Sequence, residues 1–314
     1  MIWHNNNIYV TPTEVQEFVE KARTHFDQQG VKFDAIVGMP GSYPLAIVGS
    51  DREDLDVVRS TLDNRKKYLA IGRIATPHTM AEYSKKCELH AANTVPNEKF
   101  AVAAMFDTTR DNNNPESFFS MNKIYSAKKP KIIMPWEVMG EAREQIARGE
   151  KPFIPVYNEQ CTPADGKKFS PYQDMYTLAN KIREYMTSTG SSGQYQKYFG
   201  KARGGEILAY HCADQNNGLV VPDMQNNMVA VDDIAETGKG MRGIREYDHV
   251  TFATLDVREG TALRPEVFVH DEKATGKDWL VYMNDRGHED WGTTYDKVEC
   301  STTILKDLND VRSL

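Results

Sequence analysis

MVAVDDIAETGKGM, residues 228–241, runs from an apolar strand into two adjacent carboxylates, Asp232 and Asp233, and then into a short turn with Thr237, Gly238 and Gly240 ahead of a predicted helix. This order of residue types has a chemical reading. A ribose with neighbouring hydroxyls needs close carboxylate acceptors, and a terminal phosphate needs backbone N–H groups that no side chain obstructs. The stretch supplies both, in that order. The other common phosphate-binding pattern, Gly-x-x-x-x-Gly-Lys-Ser/Thr, is not present. Read without a ligand, the same residues make a strand-to-helix turn carrying two solvated aspartates.

Working upstream, Val15, Phe18, Val19, Ala22 and Phe26 recur at helical spacing behind a cap at Thr11 or Thr13, and the apolar run from Phe33 to Val37 predicts a buried strand. That strand meets GMPGSYP, residues 38–44, a turn-rich loop of the kind that puts backbone amides at the end of a parallel strand. Downstream of Gly205, β-rich runs at 207–210, 219–221, 228–231, 249–257, 266–269 and 279–283 are separated by Gly, Asn and Asp and predict the strands of a sheet. Between these regions, 139–148 and 172–186 predict helices, while TTRDNNNPES at 108–117 and STGSSGQYQ at 188–196 predict loops. No internal repeat stands out.

Composition narrows the class. A chain of 314 residues buries a full core without disulfides or metal. Its formal charge of -7 argues against a general nucleic-acid binder, which neutralises many phosphates with clustered Lys and Arg. Cys87, Cys161, Cys212 and Cys300 lie far apart, and His78, Cys87 and His90 lack paired zinc-ligand spacing, so a reducing, cytoplasmic setting is expected. No apolar run approaches the ~20 residues that span a bilayer.

The 228–241 stretch resembles the signature of the type I phosphoribosyltransferases: an apolar strand, two acidic residues, then an acidic-Thr-Gly loop before a helix. Two further stretches resemble the bacterial xanthine-guanine branch of that family, in the same order along the chain. They are NIYVTPTEVQEFVEKARTHF (7–26) with DAIVGMPGSYPLA (34–46), and REYDHVTFATLDVREG (245–260) with EVFVHDEKATGKDWLVY (266–282). The resemblance implies an α/β fold, a Rossmann-type parallel sheet flanked by helices with a small hood. Residues 1–50 and 205–314 would form this core and hood, around a large insertion at 51–204. It further implies a pentosyltransferase of purine salvage or base modification, which moves the 5-phosphoribosyl group from phosphoribosyl pyrophosphate to a nitrogenous base and releases pyrophosphate.

Residue by residue, the resemblance implies that Asp232 and Asp233 hold the ribose hydroxyls and, directly or through water, Mg²⁺. Ala235, Glu236, Thr237, Gly238, Lys239 and Gly240 would wrap the 5-phosphate, with the Thr237 hydroxyl donating to it. Glu236 and Asp233 would serve the chemistry, Glu236 approaching the ring nitrogen as general acid or base. Met39, Pro40, Gly41 and Ser42 would offer amides to the pyrophosphate, and Trp279 would lie against the base.

Three departures from the family pattern matter. The family's pyrophosphate loop carries Arg followed by glycines, where this chain has Pro40, Gly41, Ser42 and Tyr43, so Arg203, Lys201 or Lys239 is expected to supply the missing charge. The lysine that reads an oxo group in the xanthine-guanine branch falls near Leu255 or Asp256, and an acidic acceptor favours a base that presents an N–H. The insertion is expected to form a lid, an interface between copies of the chain in a homo-oligomer, or a site for a macromolecular acceptor, and the Gly- and Ser-rich stretch 187–205 to act as a mobile cover. Two other readings stay open: a regulatory protein that binds phosphoribosyl pyrophosphate without turnover, and an unrelated α/β nucleotide-binding protein.

Overall fold

Thr11 starts the first long helix by a reciprocal capping box. Its Oγ1 accepts from the Glu14 amide at 3.2 Å while Glu14 Oε2 accepts from the Thr11 amide at 2.8 Å, and Pro12 follows at the first helical position. The structure, a computed structural model, describes residues 1–39, 41–50, 55–58, 66–76, 100–108, 118–124, 130–160, 167–191, 197–239, 241–272, 279–281 and 299–308. These residues fall into two units, Met1–Ile132 and Ile133–Leu314.

Unit 1 begins with a hairpin, β1 (Ile2–His4) and β2 (Asn7–Tyr9), and then α1 (Pro12–Gln28), whose Val15, Phe18, Val19, Ala22 and Phe26 are all buried as their spacing predicts. Next come β3 (Ala35–Gly38), α2 (Tyr43–Ser50), β4 (Asp56–Val58), β5 (Tyr68–Ala75), β6 (Phe100–Asp107) and β7 (Phe118–Lys123). The last five strands form one parallel sheet in the order β4-β3-β5-β6-β7.

β8 (Lys131–Ile133) carries the chain into unit 2, where α3 (Val138–Ala147), β9 (Ile154–Gln160), β10 (Lys167–Phe169) and α4 (Tyr172–Ser188) follow. β11 (Lys197–Gly200), α5 (Ala202–Asn216), β12 (Leu219–Val220), β13 (Met228–Ala235), β14 (Val250–Arg258) and β15 (Val267–Glu272) complete the unit's main sheet. Its order is β12-β11-β13-β14-β15, again all parallel. Two short ladders stand apart from it: β16 (Trp279–Val281) pairs with β10, and β17 (Glu299–Leu305) pairs antiparallel with β9.

The α/β class and the helix-flanked parallel sheet are therefore present, but the expected domain division is not the one the structure draws. Residues 1–50 do not complete a sheet with 205–314. They are completed by 56–58, 68–75, 100–107 and 118–123, all inside the expected insertion.

The two sheets also share one plan, which corrects the expectation of no internal repeat. Gly38 stands opposite Ile71 and Ile71 opposite Ala103; Gly200 stands opposite Val231 and Val231 opposite Ala253. The residue after each glycine makes the same bond, Met39 N to Ile71 O at 2.8 Å and Lys201 N to Val231 O at 2.9 Å.

Two further corrections share a physical cause. Residues 207–210 are helix within α5, not strand: Ile207, Leu208 and Ala209 are all buried, and a buried helix presents the same continuous apolar run as a buried strand. The stretch 187–205 is no single cover either, since it holds the end of α4, the central strand β11 and the start of α5.

His211 of α5 packs in the core against Tyr172 and Tyr176 of α4, at ring-centroid distances of 5.0 and 4.8 Å, with the Tyr172 hydroxyl 3.1 Å from Nδ1. Burial pushes its imidazole down to about 3. Below the unfolded value near 6.5, the unfolded chain therefore binds more protons than the fold, so this contribution is complete above about pH 6.5 and is lost as pH falls towards 3, at about 1.4 kcal/mol per pH unit. Asp214, pushed up to about 7 chiefly by burial, titrates with the opposite sign, so the effect is read as a difference. Denaturant melts from pH 7 to 4.5 should show a steeper acid loss in the native protein than in His211→Gln; parallel pH profiles would refute this assignment.

Candidate functional site

In the order β12-β11-β13, the sheet of unit 2 reverses its direction of growth between β11 and β13. The segments leaving the C-terminal ends of those two strands diverge there, which makes this the crevice of an open α/β sheet. Asp232 and Asp233 stand on one side of it, after the four buried residues Met228, Val229, Ala230 and Val231. The segment leaving β11, Lys201–Ala202–Arg203–Gly204–Gly205, stands on the other and runs into α5.

Gly204 and Gly205 let this segment lie against the carboxylate strand, and Gly200 lets it fold back over the end of β11. A Cβ on Gly205 would fall 2.4 Å from Val231 O, one on Gly204 would fall 2.1 Å from Asp233 Oδ2, and one on Gly200 would fall 2.2 Å from Glu206 Cα. Real Cβ atoms do not approach so closely, so each position excludes any side chain unless its neighbours move. Arg-Gly-Gly at 203–205 has the residue order, Arg followed by glycines, that is missing at 40–43, so Lys201 and Arg203 belong to the segment that borders the carboxylates. The signal was legible in principle: an apolar strand ending in Gly200, then basic residues and a glycine pair. The Gly- and Ser-rich composition of 187–205, which suggests a mobile cover, masks it.

The carboxylates are held close to the strand end. The Asp233 amide donates to Asp232 Oδ1 at 3.1 Å, and the Ile234 amide donates to Asp233 Oδ1 at 2.8 Å. Burial, and then the neighbouring Asp233 carboxylate, raise the Asp232 carboxyl well above the usual range, partly opposed by the Lys201 ammonium. A carboxyl that retains its proton can both donate to and accept from a hydroxyl, so the pair suits a diol.

No protein-family profile and no curated protein matches the chain. Solved structures similar to part of it include the purine phosphoribosyltransferase from Pyrococcus horikoshii Ot3, at 21% identity over 38% of this chain and 93% of that one, with a TM-score of 0.31. The Helicobacter pylori xanthine-guanine-hypoxanthine phosphoribosyltransferase is similar at 12% identity over 40% of this chain and 98% of that one, with a TM-score of 0.33. A hypothetical protein from Neisseria gonorrhoeae with bound ppGpp is similar at 15% identity over 40% and 94%, with a TM-score of 0.31.

The turn after β13 is anchored rather than loose. Gly238 adopts φ +69°, and a Cβ there would fall 2.6 Å from Leu263 N; the Ala262 amide donates to Thr237 O at 3.3 Å. The Lys239 amide donates to Thr237 Oγ1 at 3.3 Å, which leaves the hydroxyl proton able to donate outward. Glu236, Thr237 and Lys239 are exposed, Ala235 and Gly238 are buried, and Glu236 Oε1 lies 3.9 Å from Arg258 Nε. The predicted helix beyond this turn is instead a five-residue 3-10 helix, Arg242–Glu246, so the turn is not followed by an α-helix start. Gly240 lies outside the described residues.

Met39, Gly41 and Ser42 belong to the β3–α2 turn of unit 1, where Ser42 Oγ accepts from the Arg73 amide at 3.0 Å; Pro40 lies outside the described residues. Asp256 is 1% exposed within β14, in register with Ile234 on one side and His270 on the other. Trp279 begins β16, beside Lys167 of β10, and its side chain lies outside the described residues, as do His78, Cys87 and His90. Among the described residues no group of three or more His, Cys, Asp or Glu could hold a metal ion, and no helix is long and apolar enough to cross a membrane.

Proposed function

We propose that unit 2 binds phosphoribosyl pyrophosphate and transfers its 5-phosphoribosyl group to a nitrogenous base. One observation supports this above all: a pair of adjacent carboxylates and an Arg-Gly-Gly segment meet across the crevice between β11 and β13, so closely that a Cβ at 205 would strike the backbone of Val231 and one at 204 the Asp233 carboxylate. On this reading the diol sits on Asp232 and Asp233, the amides of residues 236–239 take the 5-phosphate, and the 201–205 segment takes the pyrophosphate, with Lys201 and Arg203 supplying charge. The bond from C1 to the pyrophosphate oxygen breaks with its electrons leaving on pyrophosphate, while the base nitrogen bonds to C1 and gives up its proton, for which Glu236 is the acceptor.

The two carboxylates fit a magnesium ion whose other ligands are substrate oxygens, since a divalent cation relieves the repulsion that helps raise Asp232. Bound there, Mg²⁺ would supply charge neutralisation to the departing pyrophosphate. Asp256, one strand further along, is the acceptor-side group and favours a base that presents an N–H.

The test is pyrophosphate release from phosphoribosyl pyrophosphate and Mg²⁺ with a panel of purines and other nitrogenous bases. Release with at least one base is expected. Tight binding without turnover on any base would instead favour a regulatory protein, and absence of binding would end both readings.

A further inference from the structure

The shared plan of the two sheets allows their crevices to be compared position by position. In unit 2 the polar positions at the crevice and further along the C-terminal side of the same sheet are Lys201, Asp232, Asp233, Thr254, Asp256 and His270. By strand register, their counterparts in unit 1 are Met39, Gly72, Arg73, Ala104, Phe106 and Asn122. All six exchanges remove an acid, a hydroxyl or an imidazole, or replace a charged group by an apolar or oppositely charged one, and only the position of His270 keeps a polar side chain that is neutral, the Asn122 amide.

The space itself has closed. A Cβ on Gly72 would fall 2.2 Å from Met39 Sδ, so the methionine side chain occupies the volume in which unit 2 places the Asp232 carboxyl. Met39 is 2% exposed and packs with Ala70, Ala75, Val102 and Ala104 in one apolar cluster. Where unit 2 sets Gly204 against Asp233, unit 1 sets Gly41 beneath the Arg73 guanidinium, with a Cβ on Gly41 only 3.2 Å from Nη2. A diol finds no carboxylate there, and the depression that would admit it is filled by the chain's own side chains.

We infer that the chain is a tandem of one fold in which unit 1 has a sugar-phosphate crevice sealed by Met39 and Arg73, so that each chain binds a single phosphoribosyl pyrophosphate, on unit 2. This rests on the reading of unit 2 given above. Titration calorimetry of the intact chain with phosphoribosyl pyrophosphate and Mg²⁺ should give one equivalent bound, and the variant Asp232→Asn/Asp233→Asn should leave no saturable heat. Two equivalents on the native protein, of which one survives in that variant, overturn the sealed crevice alone, whereas one equivalent that binds native and variant equally tightly counts against the carboxylate pair of unit 2. No binding to the native protein sinks the reading of unit 2 and this inference with it. Independently of any ligand, Gly72→Ala should lower the melting temperature by about 3 °C or more, and much less in a Met39→Ala background, where the space is vacated. Equal losses in both backgrounds would show that Met39 does not fill the place of the missing carboxylate.

Discussion

Asp232→Asn/Asp233→Asn should weaken phosphoribosyl pyrophosphate binding by about 100-fold or more while leaving the fold intact. Hydrogen bonds to charged or proton-sharing groups contribute about 1.5–3 kcal/mol each, and the diol would lose at least one such bond at each carboxylate. The fold survives because Asp232 does not stabilise it. Its carboxyl is raised by burial and by Asp233, so the folded chain holds a proton that the unfolded chain releases, and stability is lost as pH rises from the unfolded carboxylate range through the raised value. Asparagine removes that cost. The variant should therefore melt at or above the native temperature at pH 8 while calorimetry shows the affinity gone, a separation typical of sites that give up stability for function. Unchanged affinity would detach the carboxylate pair from ligand binding altogether.

The largest structural effect is expected from Gly205→Ala. By helix propensity alone the change should help, since alanine is favoured over glycine by about 1 kcal/mol within a helix. Geometry decides otherwise. The added methyl would lie 2.4 Å from Val231 O and 3.0 Å from Asp232 Cα, both backbone atoms of a central strand that has no room to retreat. Overpacking of this kind costs about 3 kcal/mol, which outweighs the propensity gain and also lifts the 201–205 segment off the carboxylates. Gly243→Ala serves as a control, because nothing lies within 4 Å of its added Cβ. Denaturant unfolding should show a large loss for the first variant and almost none for the second; equal behaviour would mean that α5 does not press on β13 as described.

Much of the local structure could be read from residues alone. α1 was legible in its spacing and in the Thr11–Glu14 pair because both signals act within a few residues. The helices α3 and α4 were equally legible. β4 to β7 were not. Tyr68–Ala75 and Phe100–Asp107 sit inside parallel sheets and are apolar on both faces, so they carry no alternation, and the polar stretches around them made the region look like an insertion. The same lack of period turned part of α5 into an expected strand. The stretch 38–44 matches a family's strand-and-loop text, but the glycines that lie against Asp232 and Asp233 are those at 204 and 205, an approach that depends on which strands pair.

By itself, then, the sequence determined the first helix, its cap, the apolar strand leading into Asp232 and Asp233, and the glycine turn behind them, since capping, periodicity and turn chemistry are decided by neighbours along the chain. Only the tertiary structure decided that there are two sheets of one plan, that Gly204 and Gly205 lie against the carboxylates, and that Met39 occupies the matching space in unit 1. Those outcomes depend on which strands pair and on approaches so close that a Cβ added to the glycine would fall 2.1–2.4 Å from an atom of a residue some thirty positions away, and no local rule of backbone or side chain carries that information.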